Sequence, residues 1–268
     1  MRKRSVAFGA ALAMLLAGCG TATEPGAVGV KRPQLLLVPS EEVNQSAEKA
    51  YQQVLAQARA KGALDRDPAQ VQRVKAIIGR LIPRTAAFRK DAPGWPWEVH
   101  VITSSEVNAW CMPGGKIAVY TGLIEQLQPS DAELAAVIGH EIGHALREHS
   151  RERVSMALAE QLGLEAVTSF ANLPPVAHDL APMLLDVTVN LPHSRGQEQE
   201  ADRIGVELAA RAGYDPHATI TLWEKMEKLG GSQPPKFLST HPPHKDRIKD
   251  LREYAEKVAP LYQAALRQ

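Results

Sequence analysis

The sequence predicts a mainly α-helical protein that contains a small antiparallel β-sheet, an α+β fold. Apolar residues recur at intervals of three and four over most of the 268 residues, which indicates amphipathic helices. Two short segments instead alternate in polarity and are rich in β-branched side chains, which indicates strands. Hydrophobic residues make up 44% of the chain, enough for a sizeable core. A small sheet inserted into a helical body is therefore expected.

The start of the chain has the pattern of a bacterial export signal. Basic residues at 2–4 precede an apolar run at 6–17. As a helix this run would span about 18 Å, too short for a hydrocarbon core of about 30 Å. The run ends in Leu-Ala-Gly-Cys, which resembles a lipobox, so Cys19 is expected to be the acylated first residue of the mature chain. The alternative is a plain signal peptide with a buried cysteine.

Acyl chains on Cys19 would anchor the protein to the membrane of a bacterial cell envelope. Gly20, in place of an aspartate after the cysteine, favours the inner leaflet of the outer membrane, facing the periplasm, over the inner membrane. Cleavage before Cys19 would remove three basic residues and no acidic ones, taking the formal charge from +1 to −2. The chain therefore has no basic footprint for nucleic acid.

Composition also divides the chain. Residues 19–39 are rich in Gly, Pro and small residues and are expected to be a lipidated linker, which leaves residues 40–268 as one folded domain. With Cys19 acylated, Cys111 has no partner for an intramolecular disulfide. It is expected to be either a buried thiol or a reactive one.

Periodicity places the elements of the body in chain order. The first helices are predicted at 40–61 and 68–90, and the strands at 97–103 and 116–121. Pro83 is expected to bend or end the second helix. His100, in the first strand, is expected to be structural. The later helices are predicted at 131–150, 151–170, 176–190, 195–212, 216–229 and 244–258.

The helix predicted at 131–150 carries histidine and glutamate residues among mostly apolar ones. Ser130 and Glu133 form a capping-box pattern that marks its start. His140 and His144, four residues apart, lie on one face within reach of a single ion, and Glu141 is placed to reach a water on that ion. This His-Glu-x-x-His spacing is typical of a zinc site whose carboxylate acts as general base. A motif this short also occurs by chance.

A third ligand must come from elsewhere, because catalytic zinc commonly has three protein ligands and one open position. On a straight helix His149 points away from His140. It is therefore expected at the surface or in a second layer, as are Arg147 and Glu148.

A second capped helix offers the best carboxylate. Ser194 and Gln197 form its capping pattern, and Glu198 and Asp202, four residues apart, share a face. Glu198 is expected to be the third ligand, and Asp202 to accept a hydrogen bond from a ligand imidazole. The alternative is a solvated acidic helix start favoured by the helix dipole.

Further motifs stand in order around these residues. They are NAWCMPGGK at 108–116, TGLI at 121–124, HEIGH at 140–144, SR at 194–195 with Glu198 and AD at 201–202, and STHPP at 239–243 with RI at 247–248. Together, over residues 97–254, they resemble the HtpX, Oma-type and CAAX prenyl protease family of zinc endopeptidases, metallopeptidase family forty-eight. The lipobox suggests its outer-membrane lipoprotein branch, similar to LoiP, YcaL and the protease domain of BepA.

The resemblance implies a zincin-like fold of the gluzincin group, with residues 40–268 as a zinc metalloprotease domain. It implies one zinc ion per chain bound by His140, His144 and Glu198, with Glu141 as general base. It also implies that extended polypeptide substrates lie beside the hairpin at 108–120 through main-chain hydrogen bonds. The substrate-binding residues are then Asn108, Gly114 and Gly115.

The resemblance also gives roles to two residues of the last motif. His241 and Arg247 match residues near the cleft of the family, where they would stabilise the oxyanion. Alternatively, His241 occupies the open position of zinc in a latched, inactive state, or the His-Pro-Pro stretch is only a rigid loop. His193 departs from the family pattern, in which an aromatic residue often precedes Ser194.

The expected function is zinc-dependent cleavage of misfolded or unassembled envelope proteins. The partners expected are polypeptide substrates, the membrane through Cys19, and outer-membrane assembly machinery as a candidate. A first alternative is an assembly factor or chaperone with little proteolytic activity. A second is a zinc hydrolase of a non-peptide bond, such as a peptidoglycan amidase. The segment from Arg151 to Leu191 is a candidate lid over the zinc.

Overall fold

The computed structural model describes residues 19–168, 180–229, 235–243 and 246–267. The signal predicted at 1–18 lies outside these residues, as do short parts of the helices predicted at 151–170, 176–190 and 244–258. The predicted fold class is confirmed, since helices dominate and a small sheet is inserted among them. The helices are α1 Ser40–Ala60, α2 Pro68–Leu81, α3 Thr121–Leu127, α4 Asp131–Leu146, α5 His149–Thr168, α6 Leu180–Leu185, α7 Arg195–Arg211, α8 Ala218–Leu229, α9 Lys236–Thr240 and α10 Arg247–Ala265. The strands are β1 Cys19–Gly20, β2 Gln34–Leu35, β3 Glu98–Ile102, β4 Ala109–Met112 and β5 Lys116–Tyr120.

Two helix ends have a clear local cause. The α2 helix ends at Leu81 and continues as a 3₁₀ helix, Ile82–Ala87, which contains Pro83, so the predicted effect of this proline is confirmed. The helix predicted at 131–150 ends at Leu146, because Glu148 adopts a left-handed φ of 51° and the chain turns there. Within the described residues, no helix is long and apolar enough to cross a membrane.

The segment expected to be a linker packs on the body. Strands β1 and β2 pair with each other, and Val28, Val30 and Val38 are buried. The amide of Val28 donates a 2.9 Å hydrogen bond to Oε2 of Glu207 in α7. Residues 21–38 therefore do not behave as a free tether, since they bury apolar side chains and satisfy their amides against the helices. The division of the chain into a signal, a lipidated N-terminus and one domain stays a prediction.

The three-stranded sheet has the order β3-β5-β4 and is mixed, not antiparallel as predicted. The β4 and β5 strands form the expected antiparallel hairpin. The β3 strand pairs in parallel with β5. The reason is topological: the chain reverses direction between β3 and β4, and again in the hairpin, so β3 and β5 run the same way on adjacent positions. The β4 strand is left as an edge of the sheet.

The α4 and α7 helices lie in backbone contact, and this contact positions the site. A Cβ atom at Gly143 would lie 2.9 Å from the carbonyl oxygen of Ala201, and one at Gly205 would lie 2.7 Å from the amide nitrogen of His140. Only glycine allows so close an approach at these positions. The α4 helix is almost entirely buried, and its two motif histidines face α7 and not solvent.

Candidate metal centre

The α4 helix presents both motif histidines to α7. Its start is fixed by the predicted capping box, in which Ser130 accepts from the Glu133 amide and Glu133 accepts from the Ser130 amide. His140 and His144 are buried, and their Nε2 atoms lie 3.1 Å apart. The spacing of four residues therefore places two imidazole nitrogens at one point, as predicted.

The α7 helix supplies the carboxylates. Ser194 and Gln197 form the predicted capping box at its start. Oε1 of Glu198 lies 3.3 Å from His144 Nε2, and Oε2 lies 3.6 Å from His140 Nε2. Nδ1 of His140 lies 2.9 Å from Oδ1 of Asp202. The structure thus brings Glu198 to both histidines and Asp202 to the far side of His140, where the sequence placed them.

His241 joins the same cluster from the turn after α9. Its Nδ1 lies 3.0 Å from Oε1 of Glu198 and 3.2 Å from Nε2 of His140. Its Nε2 lies 3.4 Å from Oε1 of Glu141. One donor atom each from His140, His144, Glu198 and His241 lie within 4.8 Å of one another, and all four residues are buried.

These donors fit a zinc ion. Ligand atoms at about 2.0 Å from a tetrahedral centre stand about 3.3 Å apart. Four separations between donors of different residues are 3.0 to 3.3 Å, close to this value. The separation between Glu198 Oε2 and His140 Nε2 is 3.6 Å, and the donor atoms of the set lie within 4.8 Å of one another. Because Nδ1 of His140 donates a hydrogen bond to Asp202, the proton of the neutral ring is on Nδ1 and Nε2 has a lone pair. This lone pair is available to a cation in the cluster. The imidazole and carboxylate set is one that a borderline cation such as zinc prefers.

The electrostatics suit ligand and base roles. Burial alone would raise the pKa of Glu198, but His241 and His140 outweigh it and hold that pKa well below its ordinary value. Burial lowers the pKa of His144 well below its ordinary value. Burial raises the pKa of Glu141, against the opposing effect of His241 and His140. An ionised Glu198 and a neutral His144 are the forms that bind a cation, and a raised pKa makes Glu141 a better proton acceptor.

Glu141 has a buried oxygen that accepts no hydrogen bond from the described part of the chain, although His241 Nε2 lies 3.4 Å from it. Its side chain is buried, and its Oε1 has no hydrogen-bond partner among the described residues. A buried carboxylate oxygen without a partner is unfavourable unless a ligand or water completes it. Glu141 therefore has, beside the histidine pair, an oxygen that can accept a hydrogen bond or a proton from a bound molecule.

Arg247 lies beside the cluster and contacts both carboxylates of α7. One nitrogen, Nη2, donates to Oε2 of Glu198 at 3.0 Å and to Oδ1 of Asp202 at 2.7 Å. The guanidinium also stacks on the ring of Trp223 at 3.4 Å. Arg247 thus orients the two carboxylates through Nη2, and its expected role in stabilising an oxyanion stays a prediction.

The residues after the motif are buried, not at the surface. Arg147 and His149 have no exposed area and Glu148 is 8% exposed. The surface alternative fails because the turn at Glu148 ends α4, so the helical wheel no longer applies to His149. His149 is instead in a second layer, with its Nδ1 2.8 Å from Nδ1 of His144. The contact between His149 and His144 could not be predicted from their spacing of five residues, because it depends on that turn.

His193 and His100 also have defined surroundings. The ring of His193 lies 4.1 Å from that of His144 and stacks on His241 at 5.0 Å between centroids. Burial lowers the pKa of His193 well below its ordinary value. His100 contacts Asp65 and Glu98 on the sheet, away from the cluster, which agrees with a structural role.

The hairpin residues expected to bind substrate do not all lie together. Asn108 is buried at one end of β4, next to Val107, whose carbonyl oxygen accepts from the amide of Phe237 beside His241. Gly114 and Gly115 lie in the turn at the opposite end. Side chains at these glycines would meet Asn44 and Trp97, and not the histidine cluster.

The chain before α7 packs against side chains on one face of β4. Trp110 and Met112 of β4 pack in one apolar cluster with Leu184 and Val187. Those two residues belong to α6 and to the π-helical turn Asp186–Asn190 that follows it. They lie within the segment expected to be a lid, of which residues 169–179 are outside the described part. Cys111 is a buried free thiol, and burial raises its pKa well above its ordinary value, so the buried alternative agrees with the structure.

Comparison with known proteins gives a consistent set of relatives. A family model described as Peptidase family M48 matches residues 68–255. The mitochondrial metalloendopeptidase OMA1 of Arabidopsis thaliana is 44% identical over 160 residues, which cover 60% of this chain and 32% of the relative. The OMA1 metalloendopeptidase of Bos taurus is 32% identical over 234 residues, 82% of this chain and 44% of the relative.

A bacterial relative is similar over a comparable length. The β-barrel assembly-enhancing protease of Yersinia pestis is 29% identical over 217 residues, which cover 76% of this chain and 43% of the relative. The chain spans about a third to a half of the length of the curated relatives it matches.

Proposed function

Because the chain belongs to peptidase family M48, as its motifs predicted, we propose that it is a zinc-dependent endopeptidase. The proposed ligands are His140, His144 and Glu198, and the proposed base is Glu141. The observation that carries this proposal is the set of four buried residues whose donor atoms lie within 4.8 Å of one another.

The proposed chemistry is peptide hydrolysis. Zinc bound by these ligands would polarise the scissile carbonyl and increase the acidity of the attacking water. Oε1 of Glu141, which accepts no hydrogen bond from the described residues, would accept the proton of that water and then pass it to the leaving amine. Asp202 orients the His140 ring by accepting a hydrogen bond from its Nδ1. Arg247 in turn donates to the carboxylates of Asp202 and Glu198.

His241 has two proposed states. Its Nδ1 lies 3.0 Å from Glu198 Oε1 and 3.2 Å from His140 Nε2, separations typical of two atoms bound to the same ion. This supports the latched arrangement, in which His241 fills the fourth position. Substrate would have to displace it. Once displaced, its ring would be available to donate to the oxyanion. This latch also favours the second candidate function, an assembly factor with little proteolytic activity, because the described arrangement leaves no open position.

Substrate is proposed to bind as an added strand on the free edge of β4. Main-chain hydrogen bonds along a strand edge recognise an extended polypeptide whatever its sequence. Asn108, Gly114 and Gly115 flank this edge and are the proposed contacts. Because Leu184 and Val187 pack against β4, the α6 segment would have to move aside.

The proposed setting is the bacterial envelope. Acylation of Cys19 would attach the protein to the inner leaflet of the outer membrane, where it would remove misfolded or unassembled envelope proteins. The name of the Yersinia pestis relative, a β-barrel assembly-enhancing protease, supports a link to outer-membrane assembly machinery. Labelling with a radioactive fatty acid, compared between the wild type and Cys19→Ala, tests the anchor directly.

One experiment tests the enzyme. The wild type and Glu141→Gln are assayed for bound zinc and for cleavage of an unfolded outer-membrane β-barrel protein. We expect one zinc ion per chain in both and cleavage only by the wild type. Cleavage at the wild-type rate by Glu141→Gln would exclude this base, and zinc-free wild-type protein would exclude the site. In cells, a Glu141→Gln variant that still supported assembly would favour the assembly factor.

A further inference from the structure

His144 is held from behind by a second histidine, whereas His140 is held by a carboxylate. Nδ1 of His144 lies 2.8 Å from Nδ1 of His149. Nε2 of His149 lies 3.0 Å from Oε2 of Glu200. His144, His149 and Glu200 are all buried. A metal-bound histidine usually donates directly to a carboxylate. For His144 the carboxylate is that of Glu200, and the imidazole of His149 lies between them.

The geometry fixes which nitrogen carries each proton. If His144 binds a cation through Nε2, its remaining proton is on Nδ1, which donates to His149. Nδ1 of His149 is then an acceptor, and its proton is on Nε2, which donates to Glu200. The two hydrogen bonds therefore have one common direction, from the metal site towards the carboxylate.

The N-terminal segment holds the outer end of this chain of contacts. Arg32 donates from Nε and Nη2 to the two oxygens of Glu200, each at 3.0 Å. Arg147 donates to the same two oxygens, each at 3.2 Å. Arg32 also forms an ion pair with Glu152, and Gln34 donates a 2.6 Å hydrogen bond to the carbonyl oxygen of Arg147. Two guanidinium groups thus fix the orientation of one carboxylate.

We propose that His149 and Glu200 form a positioning relay for His144, and that Arg32 makes the N-terminal segment a structural part of the metal centre. The proposal rests on the proposed ligation of zinc by His144. A ligand ring that is already oriented loses little freedom when it binds the ion, so the relay raises metal affinity. The competing explanation is that these contacts only attach residues 21–34 to the body, in which case metal affinity does not depend on them.

Metal affinity and folding stability separate these explanations. The zinc dissociation constant is measured on the full-length chain by competition with a chelator, and thermal unfolding is measured on the zinc-free form. His149→Phe keeps the ring and removes both nitrogens, so we expect the dissociation constant to rise about 10- to 100-fold. In His149→Asn the side-chain oxygen can replace Nδ1 as acceptor, so we expect most of the affinity to return.

The visible spectrum of the cobalt(II) form gives a second readout. We expect His149→Phe to shift the ligand-field bands, because the His144 ring is no longer fixed, and His149→Asn to restore them. An unchanged dissociation constant and spectrum in His149→Phe, with or without a loss of thermal stability, would overturn the relay.

Arg32 is tested against a matched arginine, which also decides the matter if His149→Phe does not fold. Arg73 donates to Asp131 at 2.7 Å, and its side chain is 32% exposed, compared with 40% for Arg32. We expect Arg32→Gln to raise the zinc dissociation constant at least about threefold and Arg73→Gln to leave it unchanged. Equal affinities in these two variants would overturn the role of the N-terminal segment.

The proposed metal site and the relay fail in different ways. Wild-type protein that binds no zinc would refute the site itself. Wild-type protein that binds one zinc ion, together with His149→Phe and Arg32→Gln variants that bind it equally tightly, would refute the relay alone.

Discussion

Gly143 of α4 faces the carbonyl oxygen of Ala201 in α7, and a Cβ atom at Gly143 would lie only 2.9 Å from that oxygen. Gly143 is the residue before His144, and Ala201 the residue before Asp202. The close approach of the two backbones therefore sets the separation between the histidines of one helix and the carboxylates of the other.

Gly143→Ala should separate the two helices. The added methyl group meets backbone, which cannot rotate away, so we expect unfolding to become easier by about 1 to 3 kcal/mol and zinc affinity to fall. The control is Gly79→Ala in α2, where nothing lies within 4 Å of the added atom and about 0.5 to 1 kcal/mol of stabilisation is expected. Urea denaturation and zinc titration measure both; equal stability in the two variants would contradict the close contact.

His241→Ala should open the site. The three proposed ligands remain, so we expect zinc to stay bound and cleavage of an unfolded protein to increase, because the fourth position no longer has to be vacated. The control is His217→Ala, an exposed histidine that contacts Asp215 and Glu256. Initial rates of cleavage decide the role: a rate lower than that of the wild type would assign His241 to oxyanion stabilisation instead.

Arg247→Gln should destabilise the fold. It leaves the buried carboxylates of Glu198 and Asp202 without their cation, which costs about 3 kcal/mol or more. Arg203→Gln is a close match, because Arg203 also binds one carboxylate, Asp250, and stacks on an aromatic ring. It is partly exposed, so less than about 1 kcal/mol is expected. Urea denaturation of the zinc-free proteins gives both values, and similar losses would contradict this role.

Glu200 should make stability depend on acid pH. Burial alone would raise its pKa, but hydrogen bonds from His149 and Arg32 outweigh it and lower the pKa to about 2. A carboxyl with a depressed pKa contributes stability above its unfolded value, 4.5, and this contribution is lost as the pH falls towards 2. We expect a loss on the order of 3 kcal/mol.

Glu200→Gln provides the comparison, since its amide does not titrate. Free energies of unfolding of the zinc-free wild type and variant, measured between pH 6 and pH 2, should converge as the pH falls. Parallel curves would show that Glu200 ionises in the folded protein as it does in the unfolded chain.

Local rules were enough for the residues at the centre of the site. His140 and His144 are four residues apart on a capped helix, and so are Glu198 and Asp202, and in each case this spacing alone places the pair on one face. That the two faces meet was a hypothesis from chemistry, because two histidines are too few ligands for a catalytic zinc. The structure brings them within hydrogen-bonding distance.

The surroundings of the site were not accessible to local rules. A continuous helix would place His149 on the far side of α4, but the left-handed turn at Glu148, a residue without the freedom of glycine, ends the helix before it. For Arg247, resemblance predicts a role near the cleft, but no local rule predicts that packing inserts it between two carboxylates. Residues 21–38 looked like a linker by composition, yet they cover the back of α4 and α7.

The sequence by itself determined most of the helices, two capped starts and the pairing of side chains on one face of α4 and of α7, since each depends on spacing within one element. Tertiary structure alone decided the mixed sheet, the backbone contact at Gly143, the burial of Arg147 and His149, and the attachment of Arg32 to Glu200. These features join residues distant along the chain, and their energies come from shape and burial that no single segment contains.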